Sequence, residues 1–379
     1  MKTSVITAAP HVRNYGSVLL TYATMRLFEK HGLTVEFVDY TRHTVEEAES
    51  LKELFFAISR RDRFRHLPRT AQWCIALLLY PSTKRQQRAF QTFIKAYLPL
   101  TPKRYDNNFD LVSAPPQADI YCTGGDQMWN EQHNGHQTLE AFYLTFAPQS
   151  KLRISFCTSI GKERLDPCEI PEVLPLLKKY DFISVREYSA KKALEEIGVS
   201  NVQQLLDPVL LLDREEWEKM AAPRLIEEDY VLCYEMSRRK SITPAALKVK
   251  QVSGKKLVRI NLYTFDAIKR GKSILCPTPE EFLSLFRYAD FVVTNSFHGM
   301  AFSIVYERQF MVISGANSAR LENALDLLGL RNRICKSAER IAECYSEQID
   351  YSNVNRRLIE ERLCCDAYIR EAIQFAKCS

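Results

Sequence analysis

The sequence predicts an α/β protein with two Rossmann-like domains that face each other across a cleft. Three observations support this fold class. Apolar strands alternate with amphipathic helices, a pattern typical of parallel sheets with helical crossovers. The alternation stops at an acidic connector, residues 212–230, and then begins again. The chain has 379 residues, 46% hydrophobic and 26% charged, which is enough for two globular domains and excludes a disordered or fibrous protein.

The first domain is predicted over residues 1–212. Its elements are strand 5–9, helix 17–31, strand 34–40, a basic helical insertion at about 45–100, strands 119–126, 153–159, 182–188 and 202–208, and a helix at 189–198. The first three form a βαβ unit, which implies a parallel sheet.

The second domain is predicted over residues 225–345. Its strands are 230–236, 256–263, 290–295 and 309–314, and its helices are 244–252, 279–289, 297–307 and 319–330. A last segment, residues 350–379, is predicted to be one helix that packs back on the first domain. Because open parallel sheets bind ligands beyond the carboxyl ends of their strands, we expect the site in the cleft between the two sheets.

Neither a membrane span nor a secretory signal is expected. The longest apolar run has seven residues, 74–80, whereas a spanning helix needs about 20, and the N-terminal apolar stretch is too short for a signal. We therefore expect a cytoplasmic protein. The eleven cysteines form no Cys-x-x-Cys pair, so we expect reduced thiols and no metal site.

Positive charge is concentrated in one segment. Between Lys52 and Arg104 there are twelve Lys or Arg and two acids, a net charge of +10, and the rest of the chain carries −4. These basic residues flank an apolar stretch that holds Trp73 and Tyr80. The pattern fits an element that lies on anionic lipid headgroups, and it fits a solvated basic face beside a buried helix equally well. No nucleic-acid-binding module surrounds it, so we expect no nucleic-acid partner.

The motif RNYGS, residues 13–17, joins the first strand to its helix. Gly16 lets the backbone approach a ligand, and the helix N-terminus beside Asn14 and Tyr15 favours an anion. The alternative is a plain glycine turn. A G-x-G-x-x-G motif is absent, so nicotinamide binding has little support.

The motif TGGDQMWN, residues 123–130, follows a predicted strand. Asp126, Gln127 and Asn130 offer a carboxylate and amides for sugar hydroxyls, and the indole of Trp129 offers an apolar face. This combination predicts a saccharide site.

The motif TNSFHG, residues 294–299, places Ser296, His298 and Gly299 where a strand ends and a helix begins. This position attracts anions and lets an imidazole titrate near neutrality. A satisfied structural histidine is the alternative.

Two arginines also follow predicted strands. Ser318 and Arg320 lie after strand 309–314, where an arginine can clamp a phosphate or carboxylate. Arg186 is followed by Glu187 directly after the apolar strand segment FISV, residues 182–185. An internal ion pair is the alternative for Arg186 and Glu187.

Taken in order, the motifs NYGSVL, VDY, GGDQMWN, ISVREYSA, LDPVLLL, TNSFHGMAFSIVYERQF and NSARLENALDLLGL resemble the polysaccharide pyruvyltransferase family over residues 4–333. The resemblance implies a glycosyltransferase-B-like pair of Rossmann domains. It also implies transfer of an enolpyruvyl-derived group from phosphoenolpyruvate, as co-substrate, to a sugar diol, which gives a pyruvate ketal. No metal, nucleotide or other cofactor is implied.

The resemblance also implies roles for residues. His298 would protonate the donor and Asp126 would orient or deprotonate the acceptor. The donor-binding set is Asn14, Gly16, Arg186, Ser296, Gly299, Ser318 and Arg320, and the acceptor-binding set is Tyr15, Gln127, Trp129 and Asn130. Some family members have an arginine where this chain has Ser296. Here Arg320 or Arg186 must replace it, or the donor differs.

Family members act on capsular, exopolysaccharide or cell-wall precursors, often lipid-linked, so the resemblance implies a polyprenyl-linked saccharide acceptor at the cytoplasmic membrane face. Two other functions stay open. A nucleotide-sugar glycosyltransferase would use the same cleft, with Arg320 on a diphosphate. A non-catalytic subunit would bind the glycan precursor. The sequence predicts no oligomeric state.

Overall fold

The structure is a computed structural model that describes residues 1–41, 50–59, 64–236, 241–313, 319–336 and 338–378. Its strands form two sheets in which every pairing between neighbouring strands is parallel. This confirms the predicted α/β fold class with two Rossmann-like domains.

The strands are β1 Lys2–Ile6, β2 Thr34–Tyr40, β3 Leu100–Tyr105, β4 Ile120–Thr123, β5 Leu152–Thr158, β6 Phe182–Val185, β7 Val202–Gln204, β8 Tyr230–Tyr234, β9 Lys256–Asn261, β10 Lys272–Leu275, β11 Phe291–Thr294, β12 Gln309–Ile313 and β13 Ile334–Cys335. The helices are α1 Tyr15–Lys30, α2 Leu51–Ser59, α3 Arg69–Tyr97, α4 Asn108–Ser113, α5 Glu131–Asn134, α6 His136–Phe142, α7 Ile170–Leu177, α8 Tyr188–Glu196, α9 Pro208–Leu211, α10 Arg214–Met220, α11 Thr243–Ser253, α12 Pro279–Arg287, α13 Phe297–Val305, α14 Ala319–Leu327, α15 Ala338–Ser346 and α16 Tyr351–Cys378.

Both sheets have the strand order of a doubly wound fold. The first runs β3-β2-β1-β4-β5-β6-β7 and the second β10-β9-β8-β11-β12-β13. In each, the chain starts in the middle, builds outward to one edge, and then returns to build the other half. The point where the direction reverses, beside β1 and β4 in one sheet and beside β8 and β11 in the other, is where such folds leave a crevice for ligands.

Central strands are buried along their whole length. All seven residues of β5 and all five of β8 are buried, because helices cover parallel sheets on their faces. The edge strands β3, β10 and β13 were not predicted. They are polar or very short, and β3 holds Pro102 and Lys103, residue types that proteins place on sheet edges.

Within the predicted basic insertion, at about 45–100, the described residues form the helices α2 and α3, and α3 contacts both domains. Helix α3 carries Phe90, whose ring centroid is 4.9 Å from that of Tyr15 on α1. On its other side Tyr15 stacks on Phe282 of α12 at 4.4 Å. Three segments from both halves of the chain therefore meet in one aromatic cluster beneath the site.

The C-terminal helix α16 begins on the second domain and ends on the first. Near its start the Tyr351 hydroxyl donates to the Arg308 carbonyl at 2.5 Å, and further along the Tyr368 hydroxyl donates to the Ser155 carbonyl at 2.6 Å. Arg362 donates to the carbonyls of Leu210, Leu211 and Leu212. The helix thus stabilises the relative position of the two domains. None of the helices in the described residues has the length and apolarity to cross a bilayer.

Candidate active site

Five strand ends converge at the junction of the two domains. The first turn of α1, which follows β1, brings Gly16 and Ser17; the loop after β4 brings Asp126, and the residue after β6 is Arg186. From the second domain, α13 brings His298 and α14 brings Arg320. The sequence predicted four of these side chains from their positions after strands, and the structure brings them into one charged cluster.

His298 packs directly on the first turn of α1. A methyl group built on Gly16 would lie 2.0 Å from Nδ1 and 2.4 Å from Cε1 of His298, so only a glycine leaves room for the ring. This contact joins the second domain to the N-terminus of a helix in the first. Gly16 is therefore required for the approach of His298, rather than for an unusual backbone angle.

The imidazole of His298 lies in a largely buried, charged environment. Its Nε2 is 3.9 Å from Oδ2 of Asp207 and has no hydrogen-bond partner among the described residues. Burial lowers the pKa of His298, and Arg186 and Arg320 lower it further, while Asp207 and Asp126 oppose this shift. The free protein at neutral pH therefore holds a neutral imidazole with a nitrogen left for a ligand.

Arg186 is the buried centre of an ion-pair network. Its guanidinium lies 2.6 Å from Asp207, 3.3 Å from Glu187 and 3.6 Å from Asp126, and the ring of Phe297 covers it at 5.1 Å. Burial alone would lower the pKa of Arg186, but these carboxylates raise it, so the charge is kept. The structure thus shows the internal ion pair that was the alternative interpretation.

Asp126 and Arg320 form the more accessible half of the cluster. Asp126 has a φ of +75°, which is uncommon for a residue other than glycine, and its Oδ2 accepts a hydrogen bond from the Ser17 hydroxyl at 3.0 Å. Nη1 of Arg320 is 3.6 Å from Oδ1 of Asp126, and the Arg320 side chain is 32% exposed. A ligand can therefore reach Arg320, whereas Arg186 is sealed.

Gln127 and Asn130 stand behind Arg320. Nδ2 of Asn130 lies 2.7 Å from the side-chain amide of Gln127. With the Gln127 amide oriented so that its oxygen faces the guanidinium, Nη1 and Nη2 of Arg320 donate to it at 3.1 and 2.7 Å. Asn130 and Gln127 also fill the space over Gly161, where a methyl group would meet Asn130 Nδ2 at 2.2 Å. Gln127 therefore orients Arg320, and Asn130 packs against Gln127.

Two of the predicted acceptor-binding residues are not available to a ligand, which corrects the expectation for Trp129 and Tyr15. The indole of Trp129 is buried, stacks on Tyr143 at 5.4 Å and donates to the Phe142 carbonyl. Tyr15 is buried in the aromatic cluster, and its hydroxyl donates to the Pro277 carbonyl at 2.5 Å. Both side chains support the loops that carry the site.

Asn14, Ser296 and Gly299 cap or pack helices rather than offer free groups. Asn14 Oδ1 accepts from the backbone N–H of Gly16 at 2.9 Å, and Ser296 Oγ accepts from that of Gly299 at 3.3 Å. Such N-caps stabilise helix starts. Ser318 lies outside the described residues.

Sequence reasoning missed Asp207 and Ser17. Asp207 is fully buried, accepts from Arg186, and caps α9 by accepting from the Val209 N–H at 3.0 Å. Its signal was its place in the motif LDPVLLL after a strand, where an acid followed by proline also reads as an ordinary helix start. Within the described residues, no three His, Cys, Asp or Glu side chains are placed to hold a metal ion.

Comparison with known proteins agrees with this architecture. Residues 14–317 match the family model described as polysaccharide pyruvyl transferase. A structure of a variant O-GlcNAc transferase from Thermobaculum terrenum is 12% identical, with a TM-score of 0.50, and the match covers 99% of this chain and 67% of that one. The UDP-GlcNAc 2-epimerase from Methanocaldococcus jannaschii is 12% identical, with a TM-score of 0.49, over 92% and 93% of the two chains. No individual curated protein matches the chain. The O-GlcNAc transferase confirms the glycosyltransferase-B-like fold.

Proposed function

This chain belongs to the polysaccharide pyruvyl transferase family, and we propose that it transfers an enolpyruvyl-derived group from phosphoenolpyruvate to two hydroxyls of a saccharide. The products are a pyruvate ketal and inorganic phosphate. The observation that carries the proposal is the placement of His298 on the N-terminus of α1, beside an accessible arginine and a carboxylate from other strand ends.

His298 acts as the general acid. Burial lowers its pKa in the free protein, but a bound donor brings a phosphate and a carboxylate, whose negative charges favour the protonated ring. The proton moves from His298 to the methylene carbon of phosphoenolpyruvate, and the neighbouring carbon becomes electron-poor and accepts the first sugar hydroxyl. Loss of phosphate and attack by the second hydroxyl then close the ketal ring.

Asp126 receives protons from the acceptor. Its carboxylate is fixed by Ser17 on one oxygen, while the other lies 3.6 Å from Arg320. A carboxylate held in this way orients a hydroxyl and takes its proton as the new C–O bond forms. The proton of the first hydroxyl passes from Asp126 to the departing phosphate, and the proton of the second hydroxyl returns to His298 in place of the one given to the methylene carbon. The two hydroxyl protons of the diol therefore account for the new proton on the methyl group and the proton on the phosphate.

Arg320 binds the donor. Arg186 is buried and neutralised by Asp207 and Glu187, whereas Arg320 reaches the surface and comes from the strand end next to His298. Its fork can hold a phosphate or carboxylate through two hydrogen bonds. Arg320 thereby fills the role of the arginine that this chain lacks at Ser296. The proposed donor site is also bordered by polar groups, which are the amides of Gln127 and Asn130 and the N-terminus of α1.

The acceptor is a saccharide, and we propose a polyprenyl-linked precursor of a capsular or exopolysaccharide, modified in the cytoplasm. Phosphoenolpyruvate serves as co-substrate, and the proposed chemistry needs no metal and no nucleic acid.

The test is thermal unfolding of the whole chain with millimolar phosphoenolpyruvate, with UDP-galactose, and with buffer alone, because a ligand of the folded state raises the melting temperature. We expect a rise with phosphoenolpyruvate that Arg320→Ala abolishes and that Arg331→Ala, at an exposed surface arginine, leaves intact. A rise only with UDP-galactose would overturn the proposal in favour of a sugar-nucleotide donor.

A further inference from the structure

We propose that the hairpin of α2 and α3 is a docking surface for an anionic lipid bilayer. The inference goes beyond the proposed chemistry and rests on that function only for the expectation that the acceptor is lipid-linked. Its physical basis is the packing, exposure and charge of the hairpin itself.

The hairpin has a small apolar core of its own. Leu54, Phe55 and Ile58 of α2 pack against Ala76 of α3, and the Phe55 and Trp73 rings stack with centroids 4.3 Å apart. This cluster is separate from the main cores of the two domains. Helix α2 therefore covers the inner side of α3, whereas α2 does not cover its outer side.

The outer side of α3 is apolar and exposed. Trp73, Cys74, Leu77 and Leu78 are exposed and follow the three- and four-residue spacing that places side chains on one helix face. Leu77 and Leu78 are 56% and 58% exposed. Exposed leucines and a tryptophan grouped on one face mark an interaction surface, whereas single exposed apolar residues do not.

A second segment extends this face. The hydroxyl of Thr264 donates to the Leu78 carbonyl at 3.3 Å, which holds the 3-10 helix Thr264–Ile268 against α3. Ile268 at its end is 90% exposed, and the exposed Arg270 follows. Residues from both halves of the chain thus contribute to one apolar surface with a basic edge.

The charge around this face selects the partner. From Phe64 to Arg104 the sequence has no Asp or Glu, while Arg65, Arg69, Arg85 and Arg88 are exposed. Helix α2 adds one exposed base, Lys52, and one exposed acid, Glu53, so the excess of cations remains. An apolar face with this excess fits the boundary between acyl chains and anionic headgroups. A second copy of this chain would place like charges opposite one another, which opposes self-association through this face.

Helix α3 also connects the hairpin to the candidate active site. Helix α3 continues from Trp73 to Phe90, which packs on Tyr15 beside Gly16. Seventeen residues of helix span roughly 25 Å. Docking through the hairpin would therefore hold the domain junction a short distance above the headgroups, within reach of a saccharide on a membrane-embedded carrier.

The test is sedimentation of the whole chain with vesicles of phosphatidylcholine alone and of phosphatidylcholine with phosphatidylglycerol. We expect binding to the anionic vesicles, about fivefold weaker for each arginine removed in Arg65→Gln and Arg69→Gln. Leu77→Glu with Leu78→Glu should abolish it. The matched control is Ile359→Glu with Leu363→Glu on α16, where the two side chains are 56% and 63% exposed, and it should bind normally.

Tryptophan emission gives a second measurement. Trp129 and Trp217 are buried, whereas Trp73 is 38% exposed, so a blue shift with anionic vesicles reports Trp73 entering an apolar environment. Equal binding to both vesicle types, or equal loss in the control variant, would overturn the proposal. So would a dimer that Leu77→Glu with Leu78→Glu converts to a monomer without any vesicle binding. These measurements need neither donor nor acceptor, so a failure of docking and a failure of pyruvyl transfer are observed separately.

Discussion

The imidazole of His298 covers the Cα atom of Gly16, so closely that an added methyl group would lie 2.0 Å from Nδ1. The two residues are distant in sequence and come from different domains, and their contact exists only when the domains are joined as observed. The nearest atoms belong to a ring already packed in a buried site. The methyl group cannot be accommodated by a small movement of a flexible chain.

We therefore expect Gly16→Ala to displace His298 and to reduce kcat by at least about 100-fold, the usual contribution of a positioned general acid. Turnover is measured as release of inorganic phosphate in the presence of a saccharide acceptor. Gly198→Ala is a suitable control. No atom lies within 4 Å of the added methyl group, so the variant causes no steric clash, and its φ of +89° is strained for alanine. It should cost about 1 to 2 kcal/mol of unfolding free energy and leave kcat unchanged. Equal turnover in the two variants would contradict the role of the Gly16 contact.

With His298 as the proposed general acid, the pH dependence of kcat/KM should report the protonation state of this ring in the free protein. Burial lowers the pKa of this group below its usual 6.5, and a general acid must carry a proton. We therefore expect kcat/KM to be highest at low pH and to fall as pH rises through that lowered pKa. The fall in kcat should come at higher pH, because bound donor anions favour the protonated ring.

The opposite slope, a kcat/KM that rises with pH through this range and loses the dependence in His298→Gln, would identify His298 as a base. The acid assignment would then be wrong, although the position of His298 in the site would stand. The control is Asp39→Asn, which removes the carboxylate 2.6 Å from the imidazole of His11. His11 is another histidine with an acidic partner, so this variant should leave the profile in place.

The strand-end rule explains how much of the site the sequence could predict. Asp126 and Arg186 follow strands of the first sheet, and His298 and Arg320 follow strands of the second. Parallel strands end at the same edge of a sheet and ligands bind beyond that edge, so a cleft between the two sheets made the convergence predictable without knowledge of the strand order. Which of them pair was not predictable. Asp207 accepts from Arg186 because β6 and β7 are neighbours, and that depends on the order of strands.

The sequence also could not predict the direction in which the aromatic side chains point. Trp129 lies among polar residues that suit a sugar, but its indole turns inward to Tyr143 and Phe142. An amphipathic ring fits a core and a cleft equally well, and only packing decides between them. The edge strands β3 and β10 escaped prediction because exposed strands lack the apolar pattern of buried ones.

Arg320 and Arg186 should respond differently to a conservative change. Arg320→Lys keeps the charge but removes the planar fork that binds an anion through two hydrogen bonds. We expect the KM for phosphoenolpyruvate to rise about tenfold, with little change in the melting temperature, since the Arg320 side chain is partly exposed. Arg186→Lys should lower the melting temperature, because its pairing with Asp207 and Glu187 is buried. If instead Arg186→Lys raises KM at unchanged stability, Arg186 is the donor ligand.

A variant of Asp207 can distinguish an effect on stability from an effect on the protonation of His298. Asp207→Asn keeps the shape and the cap on Val209 but removes the charge that compensates Arg186. Breaking a buried pair in this way should cost about 3 to 5 kcal/mol of unfolding free energy. The control Asp213→Asn, whose side chain is 39% exposed beside Arg362, should cost less than about 1 kcal/mol.

The same variant also acts on His298, since Asp207 raises the pKa of that ring against the effect of burial. In the fraction that stays folded, the fall of kcat/KM should therefore move to lower pH in Asp207→Asn and stay in place in Asp213→Asn. A purely structural role would lower stability without moving the pH profile. An unmoved profile would mean that the 3.9 Å separation between Asp207 Oδ2 and His298 Nε2 carries no coupling between the two groups.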